Sequence, residues 1–169
     1  LNYNQMKTTN QFSFLFIAAV FFIVGTSQAQ NTHYVTIHVN TEQINSQNKL
    51  EVCYFTSESP DGVNQTSSGN IEEFTTSVNA GDIIVWRGVS SNNPNNDTVN
   101  VSSINYHGGD NVFDRNVLNG NGGSPEEVEA MVQPGTNGKT EKYTIKFKVL
   151  NSGESNGGTF QIDPKIAVK

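Results

Sequence analysis

Three His, one Cys and 16 Asp+Glu are the side chains of this chain best able to hold a metal or move a proton. Their spacing decides what they can do. His33 and His38 have opposite parity along Tyr34-Val35-Thr36-Ile37-His38-Val39, so on a strand they face opposite sides of the sheet. A blue-copper centre needs two His and a Cys close together near the end of the chain. Here Cys53 is early and only His107 follows it, so no copper site is expected. Cys53 has no internal disulfide partner, and its apolar neighbours Val52 and Phe55 make it a buried thiol. His107 stands in Tyr106-His107-Gly108-Gly109-Asp110, where two glycines allow a ligand to approach the backbone. Trp86, Tyr106 and His107 are therefore the candidate ligand contacts, with Tyr34 and Tyr54 as secondary contacts for a sugar. Trp86 also lies in an apolar run, which gives it a core role as the competing assignment.

Asp110, Asp114 and Asn116, with Asn119 and Asn121 beyond them, supply the oxygen atoms that hard cations take. Their spacing does not match the D-x-[DN]-x-[DN]-G calcium loop. They form a weak calcium candidate, and turn formation accounts for the same residues, so no metal is expected. Nucleophilic catalysis needs a Ser or Cys beside a base and an orienting group. No Gly-x-Ser-x-Gly elbow is present, and no histidine has a context that marks it as a base. The acid pairs Glu72-Glu73 and Glu126-Glu127 are adjacent, so on strands they point apart. The chain reads as a non-enzymatic protein without a cofactor.

The elements that would position these residues are strands. Val35, Ile37 and Val39 alternate with Tyr34, Thr36 and His38; Leu50, Val52 and Tyr54 alternate with Cys53 and Phe55. Further runs are Phe74 to Val78, Ile83 to Arg87, and Val99 with Val101. From Glu141 to Val149, Tyr143, Ile145, Phe147 and Val149 point one way, and Lys142, Thr144, Lys146 and Lys148 the other. No helical period is sustained; Pro125 to Met131 admits a short helix, but Val128, Ala130 and Val132 alternate equally well. About eight strands between turns rich in Gly, Asn, Ser, Asp and Pro predict an all-β chain, a single antiparallel β-sandwich or jelly-roll-like domain. Long loops are expected at 57–70, 90–97 and 119–125.

The chain has 169 residues, 34% hydrophobic, 9% aromatic and 15% charged, with a formal net charge of −6. Ten Lys+Arg against 16 acids leave no basic footprint for a phosphate backbone, so nucleic acid is not an expected partner. Met6, Lys7, the apolar run Phe14 to Val24 and the small residues Ser27 and Ala29 are the parts of a secretory signal. That run covers about half of a hydrocarbon core, too little for a membrane span. Residues 1–29 are accordingly a leader and signal peptide, 30–169 the β-sandwich domain. The mature protein is expected to be exported: periplasmic, surface-bound or secreted.

Gly81-Asp82-Ile83-Ile84-Val85-Trp86-Arg87, Gly109-Asp110-Asn111-Val112-Phe113 and the closing Gly158-Thr159-Phe160-Gln161-Ile162-Asp163-Pro164-Lys165-Ile166-Ala167-Val168 occur in this order. They resemble the AidA/PixA inclusion-body protein family, over residues 81–168. A weaker similarity is to cupredoxin-like domains, without their copper ligands. The first resemblance implies a single β-sandwich, no established catalytic activity, and a capacity to form inclusions. The leader departs from the family's pattern. Physically the shared residues are structural. Asp82 can accept backbone N–H groups in the turn before its strand, Trp86 anchors the core, and Arg87 pairs across strands. Asp163-Pro164 bends the last strand, because Pro has no N–H for the ladder. The expected role is self-association or binding of an unidentified protein, with a carbohydrate-binding or adhesive module as the alternative. A small metal-binding or hydrolytic protein is the second alternative; it requires His33, His38 and His107 to cluster.

Overall fold

The computed structural model describes residues 30–169. The leader assigned to residues 1–29 lies outside them. Twelve strands follow one another: β1 Thr32–Val39, β2 Cys53–Glu58, β3 Gln65–Thr66, β4 Thr75–Val78, β5 Ile83–Ser90 and β6 Thr98–Gly109 form the first half. β7 Val117–Asn119, β8 Val128–Met131, β9 Thr140–Asn151, β10 Glu154–Ser155, β11 Phe160–Ile162 and β12 Lys165–Val168 complete it. Among the described residues the one helical turn is a 3-10 turn at Ile71–Glu73.

Two sheets face one another. The first runs β3-β2-β1-β5-β8 and the second β4-β12-β9-β6-β7, with β10 and β11 also pairing with β9. The all-β sandwich is as expected, with two differences. β1 pairs with β5 and β12 with β4 in parallel, so the sheets are mixed. The strand count exceeds eight because pieces of two to four residues are too short to show alternation. The Pro125 to Met131 segment resolves as strand β8 on β5. β11 and β12 follow one line along β9, broken at Asp163-Pro164. There the Pro164 carbonyl still accepts the Tyr143 N–H at 3.0 Å.

The inward parity residues make the core. Val35, Ile37 and Val39 from β1 meet Val99, Val101, Ile145, Phe147 and Val149 from the second sheet. Trp86 sits fully buried at its centre, edge-on to Phe113 and Tyr143 at centroid distances of 5.4 and 5.6 Å. Burying a side chain of that size removes roughly 200 Å² from water, several kcal/mol of stabilisation at about 25 cal/mol per Å².

Candidate functional site

Most of the side chains with chemical potential are consumed in holding strands and loops together. His33 points inward from β1 and donates from Nε2 to Asp82 Oδ2 at 2.9 Å. Asp82 also accepts the Asn79 N–H at 2.8 Å and the Asn31 N–H at 3.3 Å. Burial penalises the Asp82 charge, but the donors from Asn79, His33 and Asn31 outweigh it and hold the carboxyl below its ordinary range. This is the turn-capping role expected for Asp82, with His33 added from the neighbouring strand.

His107 leaves the outer face of the second sheet. Its Nδ1 lies 3.3 Å from Thr144 Oγ1 and 3.5 Å from Asp163 Oδ2, while Thr144 donates to Asp163 Oδ1 at 2.6 Å. The hydroxyl therefore serves the carboxylate and not the imidazole, which is not the arrangement of an activated nucleophile. Tyr106 turns its hydroxyl onto the Gly109 carbonyl at 2.7 Å and clamps the Gly108-Gly109 corner. Trp86 is fully buried and cannot touch an external ligand, so its core role replaces its candidacy as a contact. The three histidines stand apart: His33 inside, His38 on the outside of the first sheet, His107 on the outside of the second.

The acidic and amide residues of 110–121 behave as turn formers. Asp110 Oδ2 accepts the Thr140 N–H, Asn111 Oδ1 the Arg115 N–H, and Asn121 Oδ1 the Gly123 and Glu127 N–H groups. Asn116 Oδ1 accepts from Asn111, and Asp114 occupies a left-handed backbone position at φ 54°. Asn119 lies on β7. Among the described residues no three His, Cys, Asp or Glu side chains gather as a metal site. Also among them, no helix is long and apolar enough to cross a membrane. Cys53 is buried, which pushes its thiol up to about 12 and leaves it an inert core group.

Two buried polar features escaped the sequence reading. Glu141, 1% exposed, accepts the Val112 N–H at 2.7 Å and secures the 110–114 loop. Burial raises its carboxyl to about 7, against the opposing pull of the Val112 and Phe113 N–H groups. At the other end of the sandwich Thr41 donates to Asp97 at 2.6 Å and lies 2.9 Å from Ser90 Oγ. Neither has a sequence signal, since each depends on segments far apart in the chain.

What remains exposed and organised lies on the outside. Across the first sheet, Arg87 reaches over the Tyr34 ring with its guanidinium carbon 4.6 Å from the centroid. It donates to Thr36 Oγ1 at 2.9 Å and to Glu58 Oε1 at 3.0 Å. One step along, His38 stacks on Tyr54 at 4.4 Å, nearly parallel, with Nε2 2.9 Å from Thr56 Oγ1. Burial, then the Arg87 charge, lowers the His38 pKa, with Glu58 opposing. Cross-strand neighbours hold these side chains upright, so the layer is preorganised. The expected cross-strand pairing of Arg87 is thus present, with Glu58 two strands away. Tyr34 and Tyr54 are the exposed rings here.

A second exposed feature is the side of the sandwich where β7 and β8 end the two sheets. A groove of about 540 Å³ lies between them, lined by Phe113, Arg115, Val117, Leu118, Glu129 and Met131 among others. Val117 and Met131 are 46% and 43% exposed. The outer edges of both strands have no strand partner among the described residues.

No family model matches the sequence, and no curated protein does. Solved structures do. The crystal structure of the inclusion body protein PixA from Burkholderia cenocepacia superposes with a TM-score of 0.61, covering 86% of this chain and 100% of that one. The two share 15% sequence identity, so the likeness establishes a PixA-like fold and nothing of the chemistry.

Proposed function

We propose that this protein is exported, non-enzymatic, and works by self-association through the open β7–β8 side of its sandwich. The observation that carries this reading is the pair of strand edges, without a strand partner among the described residues, that flank a groove in which Val117 and Met131 are exposed. An open edge is a template for pairing with another chain, and natural sheets usually blunt it with charge, Pro or a covering loop. Here the groove carries two charges, Arg115 and Glu129, and the amides of Asn119 and Gln133 beside Val117, Leu118 and Met131. The likeness in fold to an inclusion body protein agrees with assembly. The non-enzymatic part is supported by the consumption of His33, Asp82, His107, Asp163 and Glu141 in local hydrogen bonds. Sedimentation of the purified protein over a range of concentrations tests the reading. Mass should rise with concentration, and Val117→Lys with Met131→Lys should shift it back to monomer. A wild-type protein that stays monomeric overturns it.

The Tyr34–Arg87 and His38–Tyr54 layer favours a second reading, a partner-binding or carbohydrate-binding face. Its reporters are the tyrosine resonances, because buried Trp86 is shielded from a surface ligand. Unchanged tyrosine shifts across a glycan panel speak against it.

A further inference from the structure

We infer that copies of this chain associate head to tail, the Glu127/Glu129 edge of one copy docking on the lysine row of the second sheet of the next. This rests on the self-association reading and names its surfaces. β9, the central strand of the second sheet, sends Lys142, Lys146 and Lys148 from its outer face, and Lys165 of β12 stands in register beside Lys142. Four of the nine cations in residues 30–169 therefore project from one face of a strongly acidic molecule. Lys165 is paired with Glu73, but among the described residues no carboxylate lies within ion-pair distance of Lys142, Lys146 or Lys148.

The complementary charge lies on the same molecule, elsewhere. Glu127 and Glu129 line one groove with Val85, Asn119 and Asn121 beside β8, and neither has an ion-pair partner among the described residues. Glu129 on β8 and Glu127 just before it are two residues apart, as Lys146 and Lys148 are on β9, where alternate residues lie about 7 Å apart on one side. Glu129 lies on the edge of β8 that has no strand partner among the described residues, while Glu127 just before it has its N–H and carbonyl bonded to Asn121. A two-fold contact pairs lysines with acids only where one patch holds both, and here the lysines belong to the second sheet and Glu129 to the first. With the patches on separate sheets, opposite charges meet when different surfaces join, and such a heterologous contact repeats into a ring or an open chain. Electrostatic complementarity of this kind sets register and partner choice, and it weakens with salt.

The test is a complementary charge reversal followed by sedimentation at about 50 mM and about 500 mM NaCl, which changes the screening length severalfold. Wild-type mass should be high at low salt and fall toward monomer at high salt. Lys146→Glu/Lys148→Glu and Glu127→Lys/Glu129→Lys should each weaken assembly by about tenfold or more. Mixed in equal amounts, the two variants present opposite charges to one another again, and assembly should return. Circular dichroism and Trp86 fluorescence establish that both are folded. If both variants assemble as the wild type does, these surfaces are wrong while self-association stands. If the wild type is monomeric at low salt, both readings fall. A monomer held on a sulfated polysaccharide column through Lys146 and Lys148 also overturns the proposal and makes the face a polyanion site.

Discussion

Replacing Glu141 by Gln should abolish most of a pH dependence built into the fold. The carboxyl is 1% exposed on β9, and burial moves it from an ordinary 4.5 to about 7. At about 1.4 kcal/mol for each tenfold change in proton affinity, that difference is worth about 3 kcal/mol. The folded chain holds the proton to higher pH than the unfolded chain does. Stability therefore falls by about 3 kcal/mol as pH rises from about 4.5 to above 7, and then levels. Glutamine is neutral throughout and keeps an oxygen for the Val112 N–H. Urea unfolding at about pH 5 and about pH 8, followed by Trp86 fluorescence, should show the wild type losing most of that amount and Glu141→Gln losing far less. His38 acts in the opposite sense, because its lowered pKa makes the folded state weaker as pH falls below 6.5. It is present in both proteins, so the difference between them isolates Glu141. An equal pH dependence in both, or a variant less stable than the wild type at pH 8, refutes the reasoning.

Asp82 titrates with the other sign. Its carboxyl is held below 3.8, so its contribution is present above that value and is lost as pH falls through the folded pKa. Asp82→Ala should cost about 3 kcal/mol or more, since it strands buried donors from Asn79, Asn31 and His33, and a denaturation midpoint near neutral pH checks this. Gly109 has φ +81°, and an added Cβ would overlap the Thr140 carbonyl oxygen at the bulged end of the β6–β9 pair. Gly109→Ala should therefore destabilise by about 2 kcal/mol or more, read by thermal unfolding, whereas Gly138→Ala, with open space around it, should cost less.

Much of this fold was legible in local pattern because a strand with one dry face must alternate. Val35/Ile37/Val39 and Tyr143/Ile145/Phe147/Val149 could be assigned inward from parity alone, and they are the core. Parity also separated His33 from His38, and a missing N–H at Pro164 marked the break between β11 and β12. The capping role of Asp82 was readable from its place after a Gly turn. Alternation has no direction, however. It is the same whether the neighbouring strand runs parallel or antiparallel, so the β1–β5 and β4–β12 pairings lay beyond it.

The sequence by itself determined parity: which side of each strand is apolar, where the turns fall, and that Trp86 sits in an apolar run. Only the tertiary structure decided register, because which strand lies beside which depends on closing the chain over long separations. Register places Arg87 over Tyr34 and beside Glu58, stacks His38 on Tyr54, and buries Glu141 under the 110–114 loop. It also leaves the β7 and β8 edges beside one another without a strand partner among the described residues, while the lysines of β9 gather on a separate face. Side-chain type is a local property, but a contact surface is made by residues that meet only when distant strands pair.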